Sequence, residues 1–245
     1  SYLWEAMGWV PREGGVPGFL IGDTLITSEG PESSAGINGL SESELPGVSD
    51  FGVVLPDSEV EDSVGDDPGD WKEVARRDLA AVWDVLMDGG VGTNRRYAAI
   101  TLAAALRPCV PVLSPLTIYL VGKRRSGKSW TAAEMMSFWQ PIPGTWTNDH
   151  LPGSANDTFA STENALSRAC IWVSDDLAPS ASRDGAVRAE SSMGDLIRMK
   201  FNGKGKKRMG ADMRARESRD PRALYVVTAE NEHAAVRLSS RPEDR

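Results

Sequence analysis

The residues best suited to chemistry lie in the segment 122–129, which reads GKRRSGKS. It matches the pattern G-x-x-x-x-G-K-[ST], follows a short apolar run and opens a helical pattern. Gly127 lets the backbone approach a phosphate closely, and the start of the following helix adds positive potential. Lys128 is predicted to contact the β- and γ-phosphates, and the Ser129 hydroxyl to hold Mg²⁺. The segment therefore predicts a site for ATP and Mg²⁺.

The predicted nucleotide-binding set extends over the whole loop and one residue beyond it. Gly122 is expected to turn the chain sharply off the preceding strand. Arg124 and Arg125 are not required by the pattern. For these two arginines, simple exposure at a loop tip and a contact with phosphate or a neighbouring subunit both remain open. The full set is Gly122, Lys123, Arg124, Arg125, Ser126, Gly127, Lys128, Ser129 and Trp130.

Two acids follow the next buried strand pattern, in the sequence CIWVSDD at residues 170–176. The carboxyl ends of parallel strands line the ligand crevice of an α/β sheet. Asp175 is therefore predicted to share the metal with Ser129, and Asp176 to polarise the attacking water. A turn or helix-capping role for the two aspartates is the alternative.

A third buried strand pattern, RALYVVT at residues 222–228, runs into Ala-Glu-Asn. Polar side chains at this position could sense the loss of the γ-phosphate, so Glu230 and Asn231 are candidates, with ordinary loop residues as the alternative. The predicted catalytic set is Lys128, Asp176, Glu230 and Asn231.

Charge is distributed unevenly within the net −8 of the chain. Residues 1–70 hold fifteen acids and one base, whereas residues 195–222 hold ten bases and four acids. The basic segment has a glycine-rich tip flanked by Lys200, and Phe201 is the single aromatic residue near it. This composition favours contact with the phosphate backbone of nucleic acid over base reading, and a solvated loop is the alternative. The predicted nucleic-acid contacts are Lys204, Lys206, Lys207 and Arg208.

Strand and helix patterns alternate from residue 116 onward, which predicts an α/β fold with a mainly parallel sheet. Residues 195–199 are predicted to form a short helix. We expect a β-rich N-terminal region with an acidic linker at 1–69, a helical segment packing on the core at 70–115, and the core itself at 116–245. A hairpin is expected around Gly22-Asp23.

Neither a membrane span nor a zinc site is predicted. The apolar runs are shorter than the ~20 residues that cross a bilayer, and no signal-peptide pattern opens the chain. Cys109 and Cys170 are far apart in sequence and are expected to be buried thiols. These features predict a cytoplasmic location.

The order of these parts resembles the superfamily 3 helicase core of the AAA+ class, found in replication proteins of phages, plasmids and integrated elements and often joined to primase domains. The resemblance covers residues 116–231, and "GWV…GFLIGDTLI" and "TAE" extend it loosely. It implies a three-layer P-loop NTPase core, preceded by the smaller N-terminal region. It further implies a bacterial or phage-encoded helicase that moves along single-stranded DNA as a hexameric ring, with a primase domain or protein as a partner.

Residue by residue, the resemblance assigns the basic glycine-rich segment to a DNA-gripping hairpin. It makes Arg237 and Arg241 candidate arginine fingers for a neighbour's ATP. One departure concerns the sensor, because Glu230 occupies the slot where this family has Asn and Asn231 follows it.

Two other functions fit the sequence. A nucleotide-dependent switch or assembly ATPase would use the same loop without unwinding DNA. A small-molecule or nucleic-acid kinase would need an acceptor-site motif, which we do not identify.

Overall fold

A computed structural model describes residues 6–11, 15–22, 24–28, 30–32, 45–53, 68–88, 95–112, 115–177, 183–205 and 220–230. Several predicted residues lie outside these ranges, namely Lys206, Lys207, Arg208, Asn231, Arg237 and Arg241. Within the described ranges, no helix combines the length and apolarity needed to cross a membrane.

The described elements are eight strands and five α-helices. The strands are β1 Gly8–Val10, β2 Gly18–Ile21, β3 Thr24–Thr27, β4 Gly30–Glu32, β5 Thr117–Val121, β6 Gly153–Ser154, β7 Ile171–Leu177 and β8 Leu224–Ala229. The helices are α1 Pro68–Asp88, α2 Arg95–Leu106, α3 Lys128–Met136, α4 Phe159–Arg168 and α5 Arg183–Asn202.

The described residues form two four-stranded sheets. The sheet of β5 to β8 is parallel throughout, with the strand order β5-β8-β7-β6. Every residue of β8 is buried, as are the first four of β7. Such continuously buried and mostly apolar runs are expected of strands that are covered on both faces. The predicted mixed α/β fold with a mainly parallel sheet is therefore confirmed.

Helices cover this sheet on two faces. Helix α3 packs against β7 and β8 with α2 next to it, whereas α4 and α5 pack against each other. The chain crosses the sheet from β5 to β6 through α3, then returns through α4 and α5 to β7 and β8. Parallel crossovers are right-handed. Because the connections through α4 and α5 run across the sheet in the direction opposite to the one through α3, these two helices lie on the other face.

The N-terminal sheet is an antiparallel meander in the order β1-β2-β3-β4. Ile21 pairs with Thr24, so β2 and β3 form the predicted hairpin with Gly22 in its turn, and Asp23 lies outside the described residues. Gly22 has a φ of +55°, and a Cβ there would lie 2.3 Å from the Phe51 carbonyl oxygen. Glycine is therefore required both for the turn and for the close approach of the neighbouring chain.

Both sheets share one apolar core. Phe19 of β2 lies 5.5 Å from Trp139, and Phe51 stacks on Trp172 of β7 at 6.5 Å between ring centroids. The Met7 amide also donates to the Arg168 carbonyl at 2.7 Å. The N-terminal region consequently buttresses the parallel sheet directly.

The two predicted helices before the core are present as α1 and α2. One face of α2 is buried, through Ala98, Thr101, Leu102 and Ala105. Helix α1 leaves large apolar side chains half exposed, Leu79 by 46% and Trp83 by 50%, although the sequence predicts that the segment 70–115 packs on the core.

Three other predictions are wrong. The helix expected at 195–199 spans Arg183–Asn202, because Met193, Leu196 and Met199 pack into the core. Lys200 is buried and does not flank an exposed basic tip. Cys109 is exposed, while Cys170 is buried as expected.

Candidate functional site

The loop between β5 and α3 is closed by its own backbone and side chains. The Ser126 amide donates to the Lys123 carbonyl at 3.2 Å, and the Gly122 amide donates to Ala229 at the end of β8, also at 3.2 Å. A Cβ on Gly122 would lie 2.6 Å from the Ser126 Oγ. Gly122 is thus required for close packing inside the loop.

Gly127 serves a different purpose. Its φ is +85°, and a Cβ there would have no atom within 4 Å. The left-handed backbone, which side chains with a Cβ rarely adopt, is what favours glycine. Arg125 also has a positive φ, of 61°. Positive φ at a non-glycine residue is sparsely populated and costs free energy, so this loop carries local strain.

Lys128 folds back over the loop. Its Nζ donates 2.9 Å hydrogen bonds to the carbonyl oxygens of Gly122 and Lys123. Lys123, Arg124, Arg125 and Ser126 are exposed, and the Trp130 side chain is 51% exposed at the start of α3. The predicted nucleotide-binding set therefore surrounds one accessible surface, with the ammonium group of Lys128 held across the loop.

The acidic side of the site is joined directly to this loop. The Ser129 Oγ donates to Oδ1 of Asp175 at 2.9 Å. Strand β8 lies between β5 and β7, so the serine and the aspartate approach each other across the end of one intervening strand. The predicted metal pair, Ser129 and Asp175, is brought together by the fold.

A β-bulge presents the two aspartates. Ser174 pairs with Val227 and Leu177 with Ala229, so Asp175 and Asp176 together face the single residue Thr228. Asp176 has a φ of 60°, and its side chain is exposed. Bulges of this kind redirect side chains at strand ends, often beside active sites.

Sequence reasoning missed Thr228. Its Oγ1 donates to Oδ1 of Asp175 at 2.5 Å and accepts a hydrogen bond from the Asp176 amide at 2.9 Å. This one buried hydroxyl fixes both the metal-ligand candidate and the bulge. The only signal in the sequence is a polar residue at the end of an otherwise apolar strand.

Glu230 lies at the same sheet edge, half-buried, with its amide directed at the Leu177 carbonyl at 3.4 Å. It is therefore close in the fold to the end of β7. Its predicted companion, Asn231, is outside the described residues.

An acidic cavity of about 350 Å³ opens beside the bulge. Its described lining includes four carboxylates, on Asp149, Asp157, Asp175 and Asp176. The Ser154 amide donates to Asp157 at 2.9 Å, which fixes that carboxylate. A free triphosphate would be repelled by this lining unless cations accompanied it.

The donor set at the loop fits Mg²⁺ better than a softer metal. In the described ranges, no group of three or more His, Cys, Asp or Glu residues could enclose a metal ion. Mg²⁺ bound with nucleotide typically takes few protein ligands, and water and phosphate oxygens complete its shell. One hydroxyl and one carboxylate, already within hydrogen-bonding distance of each other, are compatible with that pattern.

The chain matches no family model, no curated protein and no solved structure.

The structure describes the basic segment only at its two flanks, up to Gly205 and from Asp220 onward. Lys204 is exposed, and the Gly205 amide donates to the Asp220 carboxylate at 3.3 Å. Residues 205 and 220 therefore lie together, and Lys206, Lys207 and Arg208, which they flank in sequence, lie outside the described residues.

Proposed function

We propose that the protein is a magnesium-dependent ATP hydrolase with a P-loop core of the AAA+ type, and that it uses ATP to move along single-stranded DNA. The observation that carries the ATPase proposal is the hydrogen bond from Ser129 to Asp175. It joins a phosphate-binding loop to an acid at the end of a parallel strand, which is the pairing that holds magnesium in P-loop NTPases.

Each residue then has a definite task. Lys128 would exchange its two carbonyl partners for phosphate oxygens, since an ammonium group interacts more strongly with an anion than with a neutral carbonyl. Ser129 and Asp175 would hold Mg²⁺, which offsets the charge of the transferring phosphoryl group. Asp176, exposed at the bulge, would orient water, with Glu230 or Asn231 sensing the γ-phosphate.

The DNA part of the proposal rests on charge and on topology. Gly205 and Asp220, which flank the basic segment, are hydrogen-bonded to each other just before β8, and Thr228 near the other end of β8 contacts both aspartates. One buried strand therefore connects the candidate nucleotide site with the candidate DNA loop. In a ring of copies, Arg237 or Arg241 would serve a neighbour's site, and a primase would be the expected partner.

The test is ATP hydrolysis measured with and without single-stranded DNA, in the wild type, in Lys128→Ala and in Arg76→Ala. Arg76 is an exposed residue of α1 paired with Glu73, so its replacement controls for the loss of a positive charge. We expect stimulation by DNA in the wild type and the control, and no hydrolysis in Lys128→Ala. Hydrolysis indifferent to DNA would remove the motor proposal while leaving the ATPase.

A nucleotide-dependent switch or assembly ATPase is the second candidate. The burial of Lys200 favours it, because one cation expected on the DNA-facing segment is held in the core. Replacing Lys206 and Lys207 by alanine separates the two candidates. A translocase loses DNA affinity and part of its salt dependence, whereas a switch protein is unchanged in both measurements.

A further inference from the structure

A second cavity lies at the opposite end of the parallel sheet, where strands β7 and β8 begin. It is bordered by Leu224, where β8 begins, and by Cys170, just before β7, whereas the nucleotide loop follows the end of β5. Its volume is about 280 Å³, close to the lower limit for small-molecule sites, which suits one small ligand. The residues that line it are Met7, Gly8, Trp9, Arg107, Pro108, Val110, Pro111, Val112, Ala169, Cys170, Arg222 and Leu224.

Two arginines give this cavity a positive wall. Arg107 donates to the carbonyl oxygens of Val110 and Val112 at 3.1 and 2.6 Å, and Arg222 is directed at the Met7 carbonyl at 3.4 Å. These bonds orient the guanidinium groups without neutralising them. None of the described lining residues is acidic, and none of the described ion pairs involves either arginine.

Lys200 adds a third positive charge near the two arginines. Lys200 is buried, and its Nζ donates to the Pro221 carbonyl at 3.1 Å, immediately before Arg222. Burial, followed by the positive charge of Arg107, lowers the pKa of Lys200 to about 8. The two arginines that line the cavity, where no described lining residue is acidic, favour the binding of an anion.

The indole ring of Trp9 lines the same cavity as the two arginines. Trp9 is 39% exposed, its Nε1 donates to the Cys109 carbonyl at 2.9 Å, and its ring meets Phe19 edge-on at 5.6 Å and 88°. The indole is therefore fixed in orientation but still accessible. Fixed, exposed aromatic rings are surfaces on which nucleic-acid bases stack.

We propose that this cavity binds a nucleotide unit, with its base on Trp9 and its phosphate on Arg222 and Arg107. The unit is either a free nucleotide or one residue of a single strand. The cavity adjoins the residues that flank the basic segment, because Arg222 follows Asp220 by two residues and Asp220 contacts Gly205. This site is separate from the ATP loop and does not depend on hydrolysis there.

The test uses Lys128→Ala as the background, so that the ATP loop contributes little to binding. Affinity for dAMP, deoxyadenosine and inorganic phosphate is measured by calorimetry. We expect dAMP to bind more tightly than either fragment, and about tenfold more weakly after Trp9→Ala or Arg222→Ala. Trp9→Phe and Arg222→Lys should retain most of the affinity, and Arg76→Ala should change nothing.

The source of the nucleotide is decided by competition with a labelled single-stranded oligonucleotide. Displacement of the oligonucleotide by dAMP assigns the cavity to a strand, and binding of dAMP alone assigns it to a free nucleotide. Either result supports the site. The proposal is overturned if dAMP does not bind the Lys128→Ala background. It is also overturned if Trp9→Ala, folded by circular dichroism, binds dAMP as well as the background does, since a simple anion site would then suffice.

Discussion

The Ser129 hydroxyl donates a 2.9 Å hydrogen bond to the carboxylate of Asp175, a residue 46 positions further along the chain. Thr228 donates to the same carboxylate oxygen from the strand between them. The first turn of α3 and the end of β8 thus both donate to one oxygen of Asp175. The candidate nucleotide loop, the metal-ligand candidate Asp175 and the end of β8 are joined by these two side-chain hydrogen bonds.

Replacing Thr228 by valine should separate catalysis from nucleotide binding. The change keeps the shape but removes the donor to Asp175 and the acceptor of the Asp176 amide. We expect kcat for ATP to fall by about tenfold or more, because the acids lose their alignment, with KM changed little. Unfolding stability should fall by about 1–3 kcal/mol, the usual cost of unpaired buried polar groups.

The matched control is Thr101→Val. Thr101 is also buried, but its hydroxyl donates to the Tyr97 carbonyl within α2. It should lose stability without losing kcat. Equal effects of the two variants on kcat would mean that Thr228 has no special relation to the site.

Adding a methyl group at Gly122 should disturb the loop through one identified atom. The new Cβ would meet the Ser126 Oγ at 2.6 Å. We expect Gly122→Ala to weaken ATP binding by about tenfold, because the loop must shift. Adding Ser126→Ala removes that oxygen and should restore most of the affinity, as measured by calorimetry. Failure of the second change to rescue the first would show that Gly122 is needed for another reason.

The buried Lys200 should make stability depend on pH. Its pKa is lowered from 10.5 to about 8, so between these values the unfolded chain carries a proton that the folded one does not. Stability therefore rises with pH across that interval, by at most about 1.4 kcal/mol per unit from this group. Below pH 8 this dependence vanishes.

Lys200→Met isolates that contribution from the other groups that titrate in alkali. Urea unfolding of both proteins at several pH values gives the difference in stability. We expect the stability of the wild type, relative to that of the variant, to increase as the pH rises from 8 towards 10. A constant difference over this range would show that Lys200 keeps its ordinary pKa.

The turn at Gly22 should be sensitive to any side chain. Gly22→Ala combines a positive φ with a Cβ 2.3 Å from the Phe51 carbonyl oxygen, whereas Gly144→Ala has a positive φ in open space. Strain alone costs about 1–3 kcal/mol. We expect Gly22→Ala to lower the free energy of unfolding in urea more than Gly144→Ala does. The difference between the two losses measures the cost of the clash. Similar losses would indicate that the N-terminal sheet moves away from Phe51 at little cost.

The approach of Asp175 to the loop at 122–129 could be predicted because the carboxyl ends of parallel strands meet at one end of the sheet. The hairpin with Gly22 in its turn could be predicted because the turn needs a positive φ. Thr228 could not, because a β-branched residue in a buried strand has the same pattern whether its hydroxyl is used or not.

Lys200 and the length of α5 were missed for a related reason. The helix begins in a polar, glycine-containing stretch of low helix propensity, and the packing of Met193, Leu196 and Met199 outweighs that preference. Among neighbouring lysines, nothing in the sequence separates the one that the fold buries. Tertiary packing, which local pattern does not encode, decides both features.

Phosphate release from ATP, measured with magnesium and with EDTA, tests the ATPase proposal most directly. Wild type should hydrolyse ATP only with magnesium, Asp175→Asn and Lys128→Ala should each lose nearly all activity, and Arg76→Ala should retain it. Magnesium-independent hydrolysis, or full activity in Asp175→Asn, would contradict a nucleotide site built on Ser129 and Asp175.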